Sequence, residues 1–122
     1  MTEMIKGFED LDVFKRAYHL SLEVHRVSST FPKEERYDLT SQLRRASKSI
    51  CANVAEGYAK QHISKAEFKR YLLIALGSSE EMRVWIRYCL DLGYISEEQW
   101  KAWRCEYIEI SKMLSGLHKT WR

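Results

Sequence analysis

Apolar positions recur along this chain at steps of three and four, in four separate stretches. Val13, Ala17, Leu20, Val24, Val27 and Phe31 are spaced 4, 3, 4, 3, 4, which sets them along one side of a helix. Glu9, Asp10 and Asp12 precede this stripe, where the positive end of the helix dipole favours acids. It ends at Ser28-Ser29-Thr30-Phe31-Pro32, because proline disfavours helical geometry at the residue before it. Pro32 is also suited to open the next helix, with Glu34 and Glu35 in its first turn. There Leu39, Leu43, Ala46, Ile50, Val54 and Gly57 again step by three or four and stop near Lys60.

Ser64 with Glu67 has the capping-box spacing and opens a third helix. Its stripe is Phe68, Leu72, Ala75, Ser79, Met82, Ile86 and Cys89, closed by Gly93 as a C-cap. Ser96 with Gln99 repeats the box, and Trp103, Tyr107, Ile110, Leu114, Leu117 and Trp121 form the fourth stripe. The prediction is an all-α chain forming one domain over 1–122, with helices over about 10–30, 33–60, 64–92 and 96–119. Long helices joined by short connections pack as an antiparallel up-down four-helix bundle, with crossing angles near 20°.

Composition narrows the class without naming an activity. The 122 residues, 45% hydrophobic and 30% charged, suit one folded core rather than disorder. The longest purely apolar run, Tyr71 to Leu76, is far short of the roughly 20 residues that cross a bilayer. The opening MTEMIKGFEDLD lacks the basic and apolar regions of an export signal, so the expected compartment is the cytoplasm. Cys51, Cys89 and Cys105 are odd in number and widely spaced, which suggests neither a disulfide framework nor a zinc site and predicts small, buried or half-buried residues. The four histidines show no metal-ligand spacing, and no phosphate-cradling glycine loop or nucleophile elbow occurs. No catalytic residue, metal or cofactor is expected.

The formal charge of +3 is unevenly spread. Residues 33–70 hold nine bases and five acids, whereas 71–122 hold seven of each. Arg36, Arg44, Arg45 and Lys48, then Lys60, Lys65, Lys69 and Arg70, are therefore the candidates to line one surface and meet nucleic-acid phosphates by counterion release. Tyr37 and Tyr58 lie nearby in sequence to stack on bases. The plainer alternative is a set of solvated helix faces, diluted by Glu34, Glu35, Glu56 and Glu67. Ser41, Ala52, Ala55 and Ala59 fall opposite the apolar stripe of the second helix, a slim back that suits a subunit contact; an alanine-rich face in water is the alternative. Gly57 and Gly77 sit inside helices at a cost of about 1 kcal/mol each, so a close approach is expected at both. Asn53, Glu56, Ser78 and Glu81 are candidates for a buried polar cluster between helices two and three, the alternative being that the acids face water.

One long ordered set of residues resembles a known family. Phe31-Pro32, Glu35, Tyr37, Leu39, Gln42-Leu43-Arg44-Arg45-Ala46-Ser47, Ser49-Ile50 and Asn53-Val54-Ala55-Glu56-Gly57 are similar to the signature of the four-helix bundle proteins encoded in intervening sequences of 23S ribosomal RNA genes. Glu67-Phe68, Leu73-Ile74-Ala75, Gly77-Ser78, Glu81 and Leu92-Gly93-Tyr94-Ile95 continue it. The resemblance implies a left-handed bundle assembled as a homopentamer. It also implies kinship with the accessory variability determinant of diversity-generating retroelements, which makes RNA or DNA and a reverse transcriptase the implied partners. The family's marked positions fall on Arg45, Asn53, Glu56, Gly57, Gly77, Ser78 and Glu81. The expectation is a non-enzymatic oligomeric bundle that binds structured RNA or DNA; the competing class is a protein-interaction scaffold with no nucleic-acid contact.

Overall fold

The computed structural model describes residues 4–122; residues 1–3, part of the stretch read for an export signal, lie outside it. Its long elements are α1 (Asp12–Ser28), α2 (Leu39–Lys60), α3 (Lys65–Asp91) and α4 (Glu97–Thr120), with single 3-10 turns at Phe8–Asp10 and Lys33–Glu35. No strand occurs among the described residues, and none of the helices is long and apolar enough to cross a membrane.

The apolar stripes close on one another. Leu43, Ala46, Ile50 and Val54 of α2 are sealed from solvent, as are Phe68, Leu72, Met82 and Ile86 of α3 and Ile110 and Leu114 of α4. Val24 of α1 joins them, and Trp103 and Tyr107 lie almost wholly inside. Each helix runs against its sequence neighbour, and α1 also packs on α4, so the helices alternate up and down around the core. Cross-links fix the register. Arg16 pairs with Glu106 through both carboxylate oxygens at 3.0 and 3.1 Å, and Trp103 Nε1 donates to Glu23 at 3.3 Å. The Ser79 hydroxyl, fully buried, donates to the Tyr107 carbonyl at 3.1 Å and meets Ser111 Oγ at 2.8 Å. Without that partner the hydroxyl would be desolvated for nothing.

The helix ends follow the capping signals. Ser64 Oγ accepts from the Glu67 amide at 3.2 Å, and Ser96 Oγ from the Gln99 amide at 3.0 Å. Gly93 has φ +79 just beyond α3, and the Tyr94 amide reaches back to the Cys89 carbonyl at 2.8 Å. A residue with a side chain resists that left-handed conformation.

The start of the second helix differs from the sequence expectation. Pro32 does not begin one helix running to Lys60; it begins the short turn Lys33–Glu35, and α2 starts at Leu39. Asp38 at φ -126, ψ -109 interrupts the helical run. Glu35 accepts instead from the Leu39 amide at 3.4 Å and from the Tyr94 hydroxyl at 2.6 Å, which ties this corner to the α3–α4 connection. That bond pushes the Tyr94 phenol up to about 12, mainly because Glu35 accepts its proton, with burial second. Folding thus favours the protonated phenol. Its contribution to stability is constant below about pH 10, the unfolded value, and is lost as the pH rises through about 12. Denaturant titrations of Tyr94→Phe should differ from the wild type by a gap that closes over that interval.

Candidate nucleic-acid interface

On α2 the helical screw sorts the polar side chains into three directions. Ser41, Arg45, Lys48, Ala52, Ala55 and Ala59 step by 4, 3, 4, 3, 4 and form one outward stripe. All are exposed except Ala55, which is half-buried. The small-residue back and two of the candidate cations therefore share one face. Gln42, Ser49, Asn53 and Lys60 turn towards α3, and Thr40, Arg44 and Cys51 towards α1.

The eight candidate cations do not line one continuous surface in the protomer. Fifteen residues at 1.5 Å per residue separate Arg45 from Lys60 by about 22 Å along the axis, so Arg36, Arg44, Arg45 and Lys48 gather at one end of α2 and Lys60, Lys65, Lys69 and Arg70 at the other. Half of them have partners. Arg44 caps α1: its Nε donates to Ser28 Oγ at 2.8 Å, and its Nη2 to the His25 carbonyl at 3.0 Å and Ser29 Oγ at 3.1 Å. A cation on the last turn of a helix satisfies orphan carbonyls there. Arg45 binds the Gln42 side chain and pairs with Glu81. Lys60 donates to the Tyr71 hydroxyl at 2.8 Å and lies over its ring, and Arg70 pairs with Glu67 while covering the same ring.

Arg36, Lys48, Lys65 and Lys69 make no side-chain hydrogen bond or ion pair among the described residues, and Lys33 beside Arg36 is equally free. The field at the first end is positive. The His25 imidazole is held below its usual pKa, first by burial and then by Arg44 and Lys48. Of the two tyrosines considered for base stacking, Tyr37 is 89% exposed and available. Tyr58 is not. It packs edge-on against Phe68 and Trp121 in the core.

The polar cluster expected between α2 and α3 resolves into two, with Glu56 in neither. Asn53 Nδ2 donates to the Ser49 carbonyl at 2.8 Å and to Ser49 Oγ at 3.0 Å, and Ser78 Oγ donates to the same Ser49 oxygen at 3.0 Å. Glu81 belongs further along, between Arg45 and the Trp85 indole N–H at 2.8 Å. Glu56, three residues past Asn53, is rotated about 60° away from it and is exposed.

Two features escaped sequence reading. The first is the outward side of α3, where Leu73, Ile74, Val84, Tyr88 and Leu92 are 40% to 53% exposed. A methyl on Gly77, in their midst, would meet nothing within 4 Å. The close approach expected at Gly77 is thus absent within the protomer; at Gly57 it is present, against Tyr71. A helical wheel of α3 carries this signal, since these positions oppose the buried stripe. The second is a groove of about 600 Å³ between α3 and α4, lined by Arg83, Arg87, Trp100 and Arg104 among others. The Arg87 and Arg104 guanidinia lie 5.3 and 5.8 Å from the Trp100 ring. Only the helix register brings these residues together.

The cysteines are two buried and one exposed, so Cys105 departs from the burial expected of it. Burial pushes the Cys51 thiol up to about 11 and the Cys89 thiol up to about 12, which opposes the thiolate a nucleophile needs. Among the described residues no group of histidine, cysteine, aspartate or glutamate side chains is placed to hold a metal.

These features define a four-helix bundle with cations at both ends of its central hairpin and a small, apolar outer face. The chain belongs to the 23S rRNA-intervening sequence protein family, whose profile matches residues 9–116. A crystal structure of a protein with unknown function from the S23 ribosomal protein family of Bacteroides thetaiotaomicron has a similar fold. Its TM-score is 0.78 at 27% identity, over 88% of this chain and 96% of that one. No protein of curated function matches the chain.

Proposed function

We propose that this protein is a non-enzymatic bundle that self-associates, as a pentamer, through the outer face of α2 and α3 and presents its cationic ends to RNA or DNA in the cytoplasm. The observation that carries the reading is the set Arg36, Lys48, Lys65 and Lys69, four cations with no acid partner among the described residues. Such charges are available to displace counterions from phosphates, whereas Arg45 and Arg70 are partly neutralised by Glu81 and Glu67. Self-association is supported by the adjoining stripes of Ala52 and Ala59 on α2 and Ile74, Gly77 and Val84 on α3. Small residues beside exposed apolar ones admit a close neighbour, and contiguous apolar surface is uncommon on a lone protomer. Copies arranged side by side would repeat each cationic end and lengthen the track offered to a strand.

The pairs Arg36→Glu with Lys48→Glu, and Lys65→Glu with Lys69→Glu, should each weaken binding of a labelled structured RNA by about tenfold or more. In the same preparation, Ile74→Glu with Val84→Glu should reduce the particle to a 14.5 kDa protomer by light scattering, with helical circular dichroism intact. RNA affinity unchanged in both charge-reversed pairs would remove the nucleic-acid reading. An unchanged particle size would remove the proposed face.

A further inference from the structure

Where α1 ends and α2 begins, the chain encloses a cleft of about 300 Å³, walled by Ser28, Ser29, Lys33, Arg36, Thr40 and Arg44 over a floor of Phe31 and Pro32. Three cations stand on this wall, and none has a carboxylate partner among the described residues. Of the acids beside them in sequence, Glu35 is engaged with the Tyr94 hydroxyl and the Leu39 amide, and none of Glu34, Glu35 and Asp38 lines the cleft. Arg44 is anchored by its Nε and Nη2 on the last turn of α1, where it covers the negative end of that helix. Its Nη1 keeps its donors free. Thr40 lines the same wall, but its hydroxyl oxygen is sealed from solvent and does not open onto the cleft.

We propose that this cleft is a binding site for a phosphate group, held by Lys33, Arg36 and the free edge of Arg44. Guanidinium groups match the paired oxygens of a phosphate, and a phosphomonoester near neutral pH carries close to the two negative charges that such a wall can balance. The volume is about ten times the share of one water in the liquid, so a phosphate fits together with part of the ester that bears it. The positive end of α2 adds to the field from the Thr40 side. Arg36 is common to this site and the proposed nucleic-acid contact, but the site is defined by the cleft, because the same group arrives equally on the end of an RNA strand or on a free phosphorylated metabolite.

The test is a titration of the full-length protein with inorganic phosphate at constant ionic strength, followed by amide chemical shifts, with chloride as the control anion. Saturable shifts confined to residues 28–44 are expected. Lys33→Ala with Arg36→Ala should weaken them by about tenfold or more without moving the thermal midpoint, since neither side chain has a partner to lose. Absence of a saturable response to phosphate, reproduction of the shifts by chloride, or an unchanged response in the double variant would overturn the site. Adenosine 5′-monophosphate and one short RNA made with a 5′-phosphate or a 5′-hydroxyl then identify the source. A preference for the phosphorylated strand places the site at an RNA end, and equal binding of the mononucleotide places it on a free metabolite. Binding of the 5′-hydroxyl RNA reports on the nucleic-acid reading alone, so the two can fail separately.

Discussion

Phe68→Ala should lower the unfolding free energy by about 4 kcal/mol, the middle of the range for a large aromatic removed from a packed core. Phe68 is sealed from solvent and meets the Trp121 ring edge-on at 4.8 Å and the Tyr58 ring at 5.9 Å. It joins α3 to α2 and to the residue that follows α4. Beyond the lost apolar contact, the variant leaves a void between Tyr58 and Trp121 that rigid neighbours fill poorly. Urea unfolding followed by tryptophan fluorescence measures the loss. A change below about 1 kcal/mol would mean that this end of the bundle packs otherwise than described.

Gly57→Ala should destabilise the protein by about 2 kcal/mol although alanine is the better helix former. A Cβ built on Gly57 falls 2.5 Å from Tyr71 Cβ and 3.1 Å from Phe68 Cδ1. Tyr71 Cβ is fixed to its own backbone and cannot swing aside, so α2 and α3 must part. The gain of about 1 kcal/mol in helix propensity is smaller than the cost of that separation. Gly77→Ala should have the opposite sign in the protomer, a gain of up to about 1 kcal/mol, since its added methyl meets nothing. In a self-associated particle the same methyl enters the proposed contact and should weaken it. Chemical denaturation and light scattering of the two alanine variants read out both effects, and equal destabilisation at the two positions would contradict the packing of α2 on α3.

The bundle was legible in the sequence because its signals are local and periodic. The stripe from Val13 to Phe31 and the serine caps at 64 and 96 each depend on residues within one or two turns. The corner between α1 and α2 was not, because Glu35 is drawn into its role by Tyr94, which lies 59 residues on. The same holds for Arg44. Its place in a run of bases suggests a free cation, and only the approach of the last turn of α1 makes it a cap. The screw of α2 is readable and puts Ala52 and Ala59 outside, but a run of bases in sequence conceals the distance of about 22 Å along the axis that parts Arg45 from Lys60. Glu56 and Glu81 fit one cluster by composition, and three residues of helical rotation are enough to send Glu56 elsewhere. The apolar outer side of α3 was present in the pattern as well, masked by a stripe of seven core positions on the same helix.

The proposed function requires that unpaired cations on this bundle meet nucleic-acid phosphates. Filter binding of one structured RNA by the wild-type protein across a series of salt concentrations tests it most directly. The logarithm of the binding constant should fall linearly with the logarithm of salt, with a slope of roughly -0.7 to -0.9 for each phosphate neutralised and therefore of several units in all. An affinity that is flat across the series, or no retention of RNA at the lowest salt, would contradict the account.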